Sequence, residues 1–507
     1  MDAPGEAVSR ARGAPMKRVL LLLSLSFLVP PISTSHIGSP DVFCEGAAGP
    51  YRLLVTVRTP PMIPGIAHIE VRVLEGNVTD IRIVPLRVVG EGSQNAPPPD
   101  SMDKSQSEAQ SFTGQLWLME SGSWQVRMEV FGAQGNAQMA VPVPAAARRT
   151  LKMDKPTGFL LAALMLFLVA SMIAILGAAV RESQLESGAE ASPALRRRGR
   201  IGMAVAAVVL VAILFLGNMW WDVAASSRAN LMMYKAPPIE ASLQNGNTIV
   251  VKMGFSSWHD FRKQMLVNKI IPDHGHLMHL FLIQTPDFSN FYHLHPDQTS
   301  PDTFAERMPA VAAGDYALFA DIVRESGFPD TMTTQVTLPD VAGGPPYGDD
   351  SEATNSHATN VAFGRGTQVT FADGSRWEWV LDGQTVHAQQ PLLLRFRVFD
   401  KDGKPASDLE PYMGMAGHLV LVKRDLSVFA HVHPAGSAPM AALMLVGSQT
   451  SDSAQAAHAM PGMPATSIPA EIKFPYGFPQ PGDYRLFVQI KRSGQVETGV
   501  FDAHAEP

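Results

Sequence analysis

Apolar and polar positions follow three patterns along this chain, and each predicts a different kind of element. Residues 50 to 146 carry short runs such as Tyr51-Arg52-Leu53-Leu54-Val55-Thr56-Val57 and Trp124-Gln125-Val126-Arg127-Met128-Glu129-Val130, set between Pro, Gly and Asn turns. Apolar residues at every second position put one strand face on a core and the other in water. The pattern predicts an exported β-sandwich over 44–150. Two long apolar stretches follow, residues 158–180 and 201–217. Each is near the roughly 20 residues that cross about 30 Å of hydrocarbon, which predicts transmembrane helices over 157–180 and 201–221. A shorter run, Val19 to Val29, follows Arg10, Arg12, Lys17 and Arg18 and is broken by Pro30-Pro31. It reads as a secretory signal over 1–35; Met16-Lys17-Arg18 is itself a compact start, so residues 1–15 are expected to be a dispensable or miscalled extension.

The third pattern is a repetition, and a repeat is settled before any motif is interpreted. His279-Leu280-Phe281-Leu282-Ile283 leads to His293-Leu294-His295-Pro296, and His418-Leu419-Val420-Leu421-Val422 leads to His431-Val432-His433-Pro434. Gly314-Asp315-Tyr316-Ala317-Leu318-Phe319 is then matched by Gly482-Asp483-Tyr484-Arg485-Leu486-Phe487. Two units follow, a sandwich over 235–340 and another over 376–507, joined by a Gly/Pro/Asp/Ser-rich linker over 341–375. The second carries about thirty extra residues between its last two landmarks, within a Met- and His-bearing insertion over 435–470. The expected fold is mainly β: three immunoglobulin-like or cupredoxin-like sandwiches, the last two an internal duplication, with two transmembrane helices.

Composition narrows the function. Of 507 residues 46% are apolar and 17% charged, the net charge is −7, and no basic stripe interleaved with aromatics appears. This excludes nucleic acid as a partner. The single cysteine, Cys44, cannot form a disulfide within one chain or a Cys-rich zinc site. The segment 181–200 contains Arg181, Arg196, Arg197, Arg198 and Arg200, so it is expected in the cytoplasm. The signal and two spans then put 44–150 and everything after Trp221 on the periplasmic side of the inner membrane, with the lipid bilayer as a partner.

The histidine pattern is the candidate chemistry. Residues two apart on a strand share a face, so His293 with His295, and His431 with His433, converge on one point. His279 and His418 open the preceding strands, so each unit offers three imidazoles to an ion. Thioethers lie nearby: Met278 beside His279, Met413 and Met415 before His418, and Met460 and Met463 with His458 in the insertion. His274 and His276 precede Met278. Soft sulfur beside imidazole selects copper, Cu(I) ahead of Cu(II), with zinc as the lesser alternative. The competing structural reading caps these imidazoles with main-chain carbonyls and lets HxHP end a strand at its proline. No HExxH, Gly-x-Ser-x-Gly or phosphate-cradling loop is present, so catalysis is not expected.

The landmarks Pro272-Asp273-His274-Gly275-His276-Leu277-Met278-His279, Gly414-Met415-Ala416-Gly417-His418, the two HxHP strands and Phe478-Pro479-Gln480-Pro481-Gly482-Asp483-Tyr484 resemble the duplicated copper-associated domains of bacterial envelope proteins. The last of these, with Gly122-Ser123-Trp124-Gln125-Val126, is similar to the YtkA-like and FixH-like families. That resemblance implies copper handling, by delivery or tolerance, and a membrane copper protein or oxidase subunit as partner. The rival is a metal-free membrane scaffold whose β domains bind other proteins.

Overall fold

The computed structural model describes residues 36–37, 41–90, 95–186, 188–254, 270–348, 350–355, 367–449 and 468–507. The expected signal and the residues His458, Met460 and Met463 lie outside them. The chain is mainly strand, in antiparallel sheets. Residues 42–145 form a five-stranded and a four-stranded sheet. The alternation seen in Tyr51–Arg58 and Gly122–Gly132 delivers Leu53, Val55, Val57, Val126, Met128 and Val130 to one core between them.

The later strands form two more four-stranded sheets and two six-stranded sheets, one of them completed by His36–Ile37, which pairs parallel to Val428–Val432. In the first unit, His279–Thr285 lies between Asn290–Leu294 and Gly314–Arg324; in the second, His418–Lys423 lies between Val428–Val432 and Gly482–Arg492. Both six-stranded sheets thus have the same central order. In both, the GDYxLF tyrosine reaches back four residues, Tyr316 Oη to the Ala312 carbonyl (2.8 Å) and Tyr484 Oη to the Gln480 carbonyl (2.7 Å). The segment expected as a linker is partly built into this framework: Glu352–Asn355 pairs with Asn290–Leu294, and Gln368–Thr370 pairs with Arg376–Val380. Its polar, turn-rich composition hid two short edge strands.

The two six-stranded sheets lie face to face. Leu280, Leu282, Tyr292 and Leu318 enter the core of the first unit, and Leu419, Leu421, Leu486 and Val488 that of the second. The residues between them, Phe281, Ile283, Phe291, Phe319, Val420, Val422, Phe429 and Phe487, meet in a separate apolar layer. Phe291 stacks on Phe487 at 4.2 Å and Phe319 on Phe429 at 4.1 Å between ring centroids. Both faces of each sheet are therefore buried, which is why these strands read as continuous apolar runs.

Among the described residues, two helices, Lys155–Glu182 and Pro193–Met232, are long and apolar enough to cross a membrane. At 1.5 Å per residue they measure about 42 and 60 Å. Their outward side chains, such as Phe159, Phe167, Ile213 and Phe215, are bare, an arrangement suited to hydrocarbon. Gly177 and Gly199 let the pair approach closely, since a Cβ at Gly177 would strike Met203. The connectors at their base are tied together. Tyr234 N–H donates to the Ala147 carbonyl (2.7 Å), and Arg148 N–H to the Pro61 carbonyl (2.8 Å). The regions before and after the hairpin consequently lie on one side of any membrane it spans.

Phe429→Ala should cost about 3–5 kcal/mol, the usual range for emptying a buried phenylalanine site. Denaturant titration of the detergent-solubilised chain measures it; a loss below about 1 kcal/mol would mean that the two sheets do not support one another.

Candidate metal centre

The histidines belong to the same inter-sheet layer. Period two puts His279 on the face of Phe281 and Ile283, His293 on that of Phe291, His418 on that of Val420 and Val422, and His431 on that of Phe429. His295 and His433 extend the last turn of that pattern. A matched tight turn precedes each unit's first histidine strand. Asp273 and His276 exchange both backbone hydrogen bonds, as do Tyr412 and Met415. The central pairs, His274-Gly275 and Met413-Gly414, all have positive φ, which a two-residue turn of this kind requires. The first turn adds two imidazoles where the second carries thioethers. Beyond HxHP in the second unit, Gly436 lies against the first region's Phe43, whose carbonyl a Cβ there would strike.

Eight imidazoles therefore meet in one cluster. Within the first unit, ring centroids of His279 and His295 are 4.9 Å apart, and those of His293 and His295 4.6 Å. Within the second, His418 lies 5.0 Å from His433 and 5.3 Å from His431. Across the units, His274 lies 5.0 Å from His418 and 4.8 Å from His433, and His279 lies 5.4 Å from His431. One nitrogen from each of His279, His293 and His295 lies within 4.8 Å of the other two; the same holds for His274, His418 and His433, and for His276 and His295 with an Asp350 oxygen.

Hydrogen bonds assign several tautomers. His279 Nε2 faces the Asp273 carbonyl at 3.1 Å and His274 Nδ1 faces the Met413 carbonyl at 2.9 Å. A carbonyl only accepts, so those nitrogens carry the hydrogens and His279 Nδ1 and His274 Nε2 keep lone pairs. His293 Nδ1 faces Gln489 Oε1 at 2.9 Å, which leaves His293 Nε2 bare as well. His279 Nδ1 and His293 Nε2 are then two lone pairs facing each other at 3.1 Å. Two nitrogens about 2.0–2.1 Å from one ion, at about 100° to each other, would be separated by that distance. Among the described residues, neither nitrogen of His418 has a partner, nor does Nε2 of His274, His295 or His431. A buried donor or acceptor left this way is costly, and a cation relieves it.

The competing reading of carbonyl-capped imidazoles is met at one nitrogen each of His274 and His279. The first unit's expected trio of His279, His293 and His295 is brought together, whereas His418 and His433 group with His274 of the first unit rather than with His431, because the apolar outer faces of the two sheets pack together. The thioethers are placed differently. Met278 is fully buried in the first unit's core beside Leu280, because neighbouring strand residues point to opposite faces. Met415 packs with Ala435 and Met440. Met413 contributes its carbonyl to His274.

Three orienting residues escaped the sequence reading. His431 Nδ1 lies 3.6 Å from Asp321 Oδ2, and His276 and His295 approach Asp350 at 2.6 and 3.5 Å. Gln489 completes the set. Asp321 and Gln489 occupy the same offset from GDYxLF, and each orients a histidine of the other unit. That offset was the available signal; Asp350, in the supposed linker, gave none.

Residues 368–507 match a family described as a domain of unknown function, DUF8832. No curated protein matches the chain. Among solved structures, an engineered protein aligns over 20% of this chain and 21% of its own at 17% identity and a TM-score of 0.15. Salmonella alpha-2-macroglobulin aligns over 94% of this chain and 24% of its own at 8% identity and 0.20. A tetra-tandem repeat from a large adhesion protein aligns over 88% and 72% at 5% identity and 0.17. At such scores the likenesses carry no argument about this chain.

A cavity of about 1090 Å³ reaches the cluster. His276, His279, His431 and His433 line its inner end, and Ala146, Arg148, Arg149, Tyr234 and Pro238 line it beside the helical hairpin. Burial first, and the neighbouring rings second, hold His279, His418, His431 and His433 well below the ordinary imidazole value; His293 is lowered for the same reasons. They are therefore neutral, as ligation requires. Cys44 is no rival ligand, since burial pushes its thiol up to about 12.

An imidazole that titrates near 6.5 in the unfolded chain but stays neutral when folded makes the unfolded chain the better proton binder. These rings' share of stability is whole above about 6.5 and is lost as pH falls. Asp321 has the opposite sign: burial pushes its carboxyl to about 7, so acid relieves its cost. Relative to wild type, Asp321→Asn should gain stability at about pH 8 and keep only part of that advantage at about pH 5.5, a swing of about 1–2 kcal/mol. Melting temperatures of the metal-free proteins measure it; a pH-independent difference would show that the carboxyl ionises normally.

Proposed function

We propose that this chain is a membrane-anchored copper-binding protein of the bacterial inner membrane, with its β-rich regions in the periplasm. The fold reading that accompanies this is three immunoglobulin-like or cupredoxin-like sandwiches, the last two an internal duplication. The matched strand order, tyrosine contacts and tight turns of the two units support it.

One observation carries the functional reading: buried imidazoles from both units converge with bare nitrogens aimed at one another. Imidazole suits copper and zinc, and for a given set of donors the order of affinities favours Cu(II) over zinc. The mostly nitrogen donor set makes Cu(II) as well served as Cu(I). The resemblance of the motifs to copper-associated envelope families points the same way. Carboxylate and amide partners behind the rings, Asp321, Asp350 and Gln489, fit the outer layer that orients metal-bound histidines. The role is copper handling, by delivery to a membrane copper protein such as an oxidase subunit or by sequestration. The cavity beside the helical hairpin suits exchange with a partner in the same membrane.

The full-length protein in detergent, equilibrated with copper and desalted, should retain the metal. Combining His293→Ala, His295→Ala, His431→Ala and His433→Ala should abolish retention while the strand signature in circular dichroism persists. Wild-type protein emerging without copper would favour the metal-free scaffold, and retention of zinc in preference to copper would replace the metal.

A further inference from the structure

We infer that the two units build one multinuclear centre, holding at least two ions as immediate neighbours, in which the first unit completes the coordination of the second and the second orients a ring of the first. This rests on the metal-binding reading above and extends it to nuclearity and assembly.

The donor count comes first. A single ion held by nitrogen ligands takes about four of them, whereas eight imidazoles line this cluster. One ion in the His279, His293 and His295 set would leave His418 with neither nitrogen satisfied, together with the bare Nε2 atoms of His274 and His431. A second ion in the His274, His418 and His433 set takes up His274 Nε2 and one nitrogen of His418. Each set contributes three nitrogens and leaves room for a further ligand.

The two sets are not separated by protein. His274 of the second set lies 6.1 Å from His279 of the first, and His418 lies 6.4 Å from His293, between ring centroids. His431 stands between the sets, 5.4 Å from His279 and 5.3 Å from His418. Its Nε2 is bare as well. Ions seated in both sets are consequently neighbours across imidazole alone.

The second set spans both units, taking His274 from the first unit and His418 and His433 from the second. The first set is drawn from one unit, yet His293 is oriented by Gln489 of the other, and His431 is oriented in return by Asp321. The inter-sheet packing is therefore part of the coordination chemistry, and the second unit alone could not reproduce its site.

The test is copper titration of the full-length protein, followed by metal counting and electron paramagnetic resonance. Saturation at two or more equivalents is expected, with a spin–spin interaction at full Cu(II) loading, seen as a half-field transition or as signal intensity below the bound copper. His279→Ala and His418→Ala, which strike different sets, should each lose about one equivalent and leave the signal of an isolated Cu(II). Saturation of wild-type protein at one equivalent would overturn the inference while leaving copper binding intact. So would two equivalents with full, non-interacting signal. A protein that binds no copper overturns the metal reading itself. The wild-type titration decides the matter even where a variant fails to fold.

Discussion

The packing of two apolar sheet faces against each other governs everything around the histidines. A six-stranded sheet with one face in its own core and the other in water would display these rings to solvent, where they would titrate and hydrate independently. Here Phe281, Phe291 and Phe319 meet Phe429 and Phe487, and the same layer buries His279, His293 and His418. Burial keeps the rings neutral, fixes their directions and leaves several nitrogens without hydrogen-bond partners. An apolar interface thereby creates the demand for a cation.

The same packing explains why orientation crosses between units. A histidine on the inter-sheet face cannot be steered by its own core, which lies on the opposite side of its strand. The residue able to reach it projects from the facing sheet. Gln489 serves His293 and Asp321 serves His431 in this way. Asp273 links the arrangement to the Met440–Gly447 helix by accepting from Ala441 N–H at 2.7 Å. The first region adds a clamp, because its strand Val42–Ala48 hydrogen-bonds to the turn after His433, with Glu45 N–H donating to the Ala435 carbonyl at 2.8 Å. Anchor, clamp and paired sheets converge on one point beside the helical hairpin.

Much of this was legible from local pattern. Alternation located the strands, the two long apolar stretches located the helices, and the HxHP motifs with His279 and His418 supplied six of the clustered rings. His274 and His276 were singled out as well, although nothing local joined them to the second unit. The Met residues misled, because Met278 follows the strand's other face into the core. The runs His279-Leu280-Phe281-Leu282-Ile283 and His418-Leu419-Val420-Leu421-Val422 carried a signal that went unused: a strand apolar at every position is covered on both faces.

The sequence by itself determined which side chains share a strand face, since that depends only on a period of two, and which stretches suit hydrocarbon, since that depends only on length and polarity. Only the tertiary structure decided that the two histidine faces confront each other. His274 meets the Met413 carbonyl across 139 positions of chain and His293 meets Gln489 across 196. Pairings of that span are set by how whole surfaces fit, and no local periodicity encodes the surface a strand will face.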